Sequence, residues 1–147
     1  MPMTDIDQCR LMRLPRHVSD RGSLTEVQND ESFPFAVKRV FYIYDVPGGV
    51  ERGGHAHRHD LECVIAVSGS FDIEITNGRD TKMLTLRRPY EALFVPSGLW
   101  LQMKNFSSGS ICLVLDSDVY NEDDYIRDYA DFLKFSTEDD RNQISVS

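Results

Sequence analysis

Between residues 71 and 76 the side chains alternate without a break: Phe71, Ile73 and Ile75 fall on one face, Asp72, Glu74 and Thr76 on the other, and Asn77-Gly78 closes the run. A period of two describes a strand with one buried face, and Asn-Gly is the strongest short-range signal for a hairpin. The pattern recurs along the chain. Residues 82–86 return from that turn, 92–95 form a short apolar run, 99–103 follow the Pro96-Ser97-Gly98 turn, and 110–116 are strongly apolar. Upstream, residues 9–14 end at Pro15, 23–28 follow the Asp20-Arg21-Gly22 turn, and 36–44 are β-branched and aromatic throughout. Short strands at near-regular spacing, separated by Gly and Pro turns, predict an all-β jelly-roll barrel. One segment differs. Residues 121–135 carry Asn121 as an N-cap, acids in the first turn, and Tyr125, Ile126, Tyr129, Phe132 and Leu133 at helical spacing, which predicts one C-terminal amphipathic helix on the barrel.

Residues 49–69 hold the dense histidine cluster. In an extended strand His55 and His57 point the same way, and Glu62 opens the apolar run 63–67 after a short break, so two imidazoles and a carboxylate converge. Their spacing resembles the first cupin motif: Gly49, five residues, His55-x-His57, four residues, Glu62, six residues, Gly69. The second motif reads Pro96-x-Gly98-x-x-Leu101-x-x-x-Asn105, with leucine where that motif carries a histidine. Two chemistries stay open. His55, His57 and Glu62 form a facial triad suited to a divalent transition metal. Alternatively a histidine enclosed in the barrel serves as a general base on a carbon acid next to a carbonyl, with Tyr42, Tyr44 and Arg39 on the preceding strand as donors to the enediolate.

Composition narrows the partners. Sixteen basic against 24 acidic residues give a net charge of −8, which argues against a nucleic acid polymer or an anionic membrane surface. At 147 residues and 41% apolar content, a single domain spanning 1–147 is expected, with its core at about 20–135 and a frayed tail at 136–147. No stretch reaches the ~20 apolar residues of a membrane span, and the N-terminus lacks a basic-then-apolar leader pattern, so a cytoplasmic protein is expected. Cys9, Cys63 and Cys112 are odd in number and two lie in apolar runs, which predicts buried free thiols. His59 is expected to be a solvated loop residue, His17 to be structural or exposed, and the acidic run 138–140 to be a solvated tail.

The chain resembles the nucleotide-sugar 3,4-ketoisomerases, the WxcM-like branch of the cupins. The resemblance covers about residues 20–135. It is carried by Asp20-Arg21-Gly22-Ser23-Leu24, by residues 37–45, by Arg52-Gly53-Gly54-His55-Ala56-His57, by the Trp100 segment, by Asn105-Phe106-Ser107 and by residues 120–129. It implies a cupin jelly roll (double-stranded β-helix), a homodimer with exchanged strands, and an isomerase that needs no cofactor. Its implied substrate is a dTDP-linked 4-keto-6-deoxy sugar, converted to the 3-keto sugar for deoxysugar and surface polysaccharide synthesis. By the same resemblance His55 and His57 line the site and one of them moves the proton; Arg21 lies in the sugar pocket; Arg39 and Arg52 suit a pyrophosphate. Trp100 and Tyr42 offer faces for a base or sugar. Two positions depart from the family pattern: Glu62 stands where glutamine is usual, and Leu101 where histidine or arginine borders the sugar. These departures keep in view a metal-dependent cupin and a non-catalytic sugar-nucleotide binder.

Overall fold

A computed structural model of the chain describes residues 3–146, with side chains described for residues 3–137. In chain order the strands are β1 (Arg10–Arg13), β2 (His17–Ser19), β3 (Gly22–Leu24), β4 (Arg39–Tyr44), β5 (Arg52–His57), β6 (Glu62–Ser68), β7 (Phe71–Thr76), β8 (Thr81–Leu86), β9 (Glu91–Val95), β10 (Trp100–Lys104), β11 (Ile111–Asp116) and β12 (Tyr125–Ile126), followed by the helix α1 (Tyr129–Val146). Two five-stranded antiparallel sheets face each other, in the orders β1-β9-β6-β11-β4 and β12-β5-β10-β7-β8, and β2 and β3 form a separate hairpin. This is the jelly roll expected from the turn spacing. Sequence neighbours β5 and β6 fall in opposite sheets, which is what wraps the barrel.

The alternation read at residues 71–76 is realised in β7, where Phe71, Ile73 and Ile75 are buried at the centre of the fold. They meet Val64, Leu93, Val95, Cys112 and Val114 from the facing sheet and Leu101 and Met103 from their own. The Asn77 side chain stabilises the hairpin, its Oδ1 accepting from the Arg79 and Asp80 amides. A second cluster, including Leu14, Phe33, Cys63, Ile65 and Leu115, lies on the outer side of the first sheet beneath residues 27–37. A third joins Ala56, Ile126 and Phe132, through which α1 packs on the outer side of the second sheet. Among the described residues no helix is long and apolar enough to cross a membrane. The three thiols are buried and unpaired, and burial pushes Cys9 up to about 11 and Cys63 and Cys112 up to about 12.

Three expectations need correction. Residues 121–128 are not helical: Asn121 caps a single 3-10 turn over Glu122–Asp124, and the chain then extends as β12 alongside β5. The free edge of β5 takes up the backbone hydrogen bonds of Tyr125 and Ile126, a tertiary pairing that helical spacing does not reveal. The helix starts at Tyr129, with Asp128 supplying the cap through its Oδ1 to the Asp131 amide. Fraying was expected from residue 136, yet Ser136 is buried, its Oγ donating to the Asn77 carbonyl, and the helix backbone continues to Val146. The side chains of the acidic run 138–140 lie outside the described residues. The strand expected at 23–28 is shorter, since only residues 22–24 pair, with β2.

Candidate active site

β4 and β11 of the first sheet are in register at Arg39 and Asp116, and β11 and β6 at Asp116 and Glu62. A row of three charged side chains thus crosses three strands at one end of the barrel. Two carboxylates directly opposite each other repel, and burial raises the cost. Arg39 offsets part of it from one side, its Nη2 2.8 Å from Asp116 Oδ2. His57 approaches from the facing sheet on the other, its Nε2 3.4 Å from Glu62 Oε2.

His55 and His57 lie on one face of β5, with ring centroids 5.2 Å apart and at a steep angle. Tyr125, opposite His57 in the β5–β12 pairing, places its ring 4.3 Å from His57 and 5.1 Å from His55. The two histidines occupy different environments. His55 lines a cavity of about 490 Å³ together with Phe41, Glu62, Leu101, Met103 and Tyr125. Burial, reinforced by the nearby charge of His57, lowers its pKa to about 4, so its imidazole is neutral at pH 7. His57 is 6% exposed and is held between carboxylates, with Nδ1 2.9 Å from Asp124 Oδ2 and Nε2 facing Glu62. Burial alone would discharge it, but hydrogen bonding and charge from Glu62 and Asp124 outweigh that and raise it to about 9. Burial also raises the Glu62 pKa against the pull of His57. We therefore assign the proton of this pair to the ring, which meets a second carboxylate at Nδ1. Asp60 is crowded by Asp116 and Asp124 in the same buried volume, and burial followed by those neighbours raises it to about 8, a neutral acid at pH 7. A neutral base open to a cavity thus stands beside a fixed imidazolium.

His55, His57 and Glu62 offer ligand atoms within 4.8 Å of one another, so the three residues of the metal reading do converge. His57 Nδ1 is engaged by Asp124, so a cation would meet its Nε2, which lies 3.4 Å from Glu62 Oε2. Leu101 contributes hydrocarbon where a fourth ligand would stand.

The other sequence candidates divide. Leu101 is in the cavity wall and pairs with His55 across the β5–β10 ladder. Arg52 lies at the mouth with Glu51 and Arg127. Arg39 is not in the lining of this cavity, and its Nη2 is engaged by Asp116 and Tyr125 Oη (3.2 Å). Trp100 points away from the cavity. As Leu101 and Met103 face in, pleating turns Trp100 outward, where it packs on Tyr129 and Phe132 of α1. Tyr42 is 61% exposed, lines the cavity at its rim and lies tilted against Tyr44, while Phe41 and Ile43 take the inward positions of β4. Arg21 sits in the exposed β2–β3 turn and does not line this cavity within the single chain. His59 projects into solvent, as expected, although its Nδ1 reaches Asp124 at 3.1 Å. Sequence reading missed Tyr125, Arg127 and Asp124. Their helical spacing concealed them, and the run Glu122-Asp123-Asp124-Tyr125 beside a histidine cluster was the available signal.

Three comparisons bear on this arrangement. The family model described as FdtA, WxcM-like, C-terminal, matches residues 7–137. The chain is 35% identical over 126 residues to a TDP-4-oxo-6-deoxy-alpha-D-glucose-3,4-oxoisomerase of Aneurinibacillus thermoaerophilus, covering 86% of this chain and 91% of that one. It is similar in structure to a 3,4-ketoisomerase from Helicobacter canadensis, with a TM-score of 0.84 and 40% identity over 87% of this chain and 96% of that one. It is also similar to a mutant form of the 3,4-ketoisomerase QdtA from Thermoanaerobacterium thermosaccharolyticum solved with TDP-4-keto-6-deoxyglucose, with a TM-score of 0.85 and 29% identity over 88% and 94% of the two chains.

Proposed function

The chain belongs to the FdtA family of WxcM-like C-terminal domains, and from that premise we propose that it is a nucleotide-sugar 3,4-ketoisomerase whose base is His55. It converts a dTDP-4-keto-6-deoxyhexose to the 3-keto sugar, within deoxysugar biosynthesis. The named relatives act on, or are solved with, this class of TDP-sugar. The observation that carries the role of His55 is the contrast within the pair: the neutral imidazole lines the cavity, while the charged one is locked behind it.

The C3–H of a 4-keto sugar is acidic because the carbanion delocalises into the neighbouring carbonyl. Neutral His55 takes that proton through its free ring nitrogen, and the electron pair moves to the C4 oxygen to give an enediolate. The charge that develops is stabilised by the fixed His57 imidazolium behind His55, in a site of low dielectric. Transfer of a proton between the two oxygens and return of the proton from His55 to C4 complete the 3-keto sugar. Atoms balance without any oxidant or external acid. Leu101, Val64, Met103 and Val114 keep the cavity floor apolar, which limits water at the enediolate. Arg52 at the mouth suits the diphosphate.

We also propose a homodimer in which the β2–β3 hairpin crosses to the partner and carries Arg21 toward the partner's cavity. Support comes from the exposed Val18 and Leu24 on that hairpin, and from the exposed row Val40, Tyr42 and Tyr44 on β4.

Proton NMR of dTDP-4-keto-6-deoxyglucose with chelator-treated protein in deuterated water tests the activity. A 3-keto product is expected, with deuterium at C4 to the extent that His55 exchanges its proton with solvent before returning it, and no product in a folded His55→Asn variant. Absence of any 3-keto product would overturn the isomerase reading and favour a binding-only protein, while activity that disappears with chelation would favour the metal reading.

A further inference from the structure

Asp124 belongs to the 3-10 turn between β11 and β12 and is almost completely buried. Its carboxylate serves one loop with both oxygens. Oδ2 faces His57 Nδ1 at 2.9 Å and accepts from the Asp60 amide at 3.1 Å. Oδ1 accepts from the His59 amide at 2.9 Å and faces His59 Nδ1 at 3.1 Å. The far nitrogen of His57 is directed at Glu62. The ring is therefore anchored at Nδ1 by the 2.9 Å hydrogen bond, while Nε2 makes only the longer 3.4 Å approach to Glu62, and rotating the ring breaks the Asp124 contact. Among the groups that face it, Asp60 on the loop lies farther from Nδ1, at 3.8 Å, and Asp116 on β11, His55 on β5 and Tyr125 on β12 make no hydrogen bond to that nitrogen.

We propose that Asp124 is a positioning residue for the isomerisation, which holds a proton on His57 Nδ1 and turns Nε2 toward Glu62 and the cavity. The assignment rests on the reading of His55 and His57 as the reacting pair. A carboxylate at Nδ1 fixes both the tautomer and the plane of the imidazole, and so places a cation at constant distance behind His55. The same carboxylate ties the β5–β6 loop to the segment that carries Tyr125, so the wall of the cavity and the orientation of its imidazolium depend on one residue.

Histidine-selective 15N labelling of the full chain at pH 7.5 reads the contact directly. A solvent-protected Nδ1–H proton, well downfield and absent in His57→Asn, is the expected signal. Asp124→Asn should lose this signal and lower kcat for the 4-keto sugar nucleotide at least about tenfold, with KM within about twofold. Asn121→Ala is the control for loss of structure, because Asn121 caps the same turn through the Asp123 amide without touching His57. It should lower Tm yet keep the protected proton and keep kcat within about twofold. The proposal is overturned if the wild-type protein lacks the protected proton, if Asp124→Asn retains kcat, or if both variants lose kcat in proportion to Tm. Should Asp124→Asn not fold, the wild-type signal decides. A wild-type protein with the protected proton but no turnover would overturn the isomerase reading while leaving the contact established, so the two failures are separable.

Discussion

Leu101 stands directly across from His55 in the β5–β10 ladder, so the wall beside the proposed base is hydrocarbon rather than a second titratable group. At 4% exposure it has no access to bulk water. Replacing it with histidine places a polar ring among Val64, Met103 and Val114. Leu101→His is expected to lower stability by about 1–3 kcal/mol in urea denaturation. Because the new ring faces His55 and not the mouth, kcat should change more than KM in steady-state assays of the sugar nucleotide.

Gly53 precedes the histidines on β5 at φ 89°, and a Cβ there would come within 2.9 Å of the Leu101 carbonyl oxygen. The clash is with backbone, which cannot swing aside. Gly53→Ala is expected to destabilise the fold by about 1–3 kcal/mol and, by pushing β5 from β10, to reduce kcat as well. Wild-type stability in urea with unaltered turnover would show that the strand tolerates the shift.

Trp100 packs on α1 through Tyr129 and Phe132. Trp100→Ala should cost about 3 kcal/mol by removing that contact. In the folded fraction KM should stay within about twofold, since the side chain lies outside the cavity. A large rise in KM with unchanged stability would place Trp100 against substrate after all.

The pH dependence of stability follows from the two histidines. The folded pKa of His57, about 9, lies above its ordinary 6.5, so its contribution is complete below pH 6.5 and is lost as pH rises through 9. The folded pKa of His55, about 4, lies below 6.5, so its contribution is complete above pH 6.5 and is lost as pH falls through 4. Asp60, raised to about 8, weakens the fold further toward that pH. Between pH 4 and 6.5 the opposite slopes of His55 and Asp60 offset each other, so thermal melts are expected to be nearly level there and to decline from pH 6.5 to 9, and His55→Asn should leave a Tm that falls with rising pH across the acid side as well. A Tm that climbs steadily from pH 6.5 to 9 would contradict the imidazolium assignment.

Local pattern determined much of this protein. Period-two alternation at residues 71–76, the Asn77-Gly78 turn and the Gly and Pro punctuation specify strands and their ends, because side-chain direction along a strand depends only on the backbone of that strand. The same rule brought His55 and His57 to one face, and the quoted motifs carried the family resemblance. Tertiary structure alone decided what surrounds them. Arg39 was legible as a cation, but its pairing with Asp116 follows from strand register between segments 77 residues apart. The outward turn of Trp100 and the exposure of Tyr42 depend on which side of each strand faces the barrel, and both sides of β10 and β4 carry apolar residues. The segment 121–126 is the plainest case. Its spacing fits a helix, yet the unfilled edge of β5 and the buried His57 need a strand and a carboxylate there, and those demands come from residues more than sixty positions away. Hydrogen bonds and charges in a dry interior are satisfied by whatever the fold brings close, so the protonation states that distinguish the two histidines were not written in the motif that contains them.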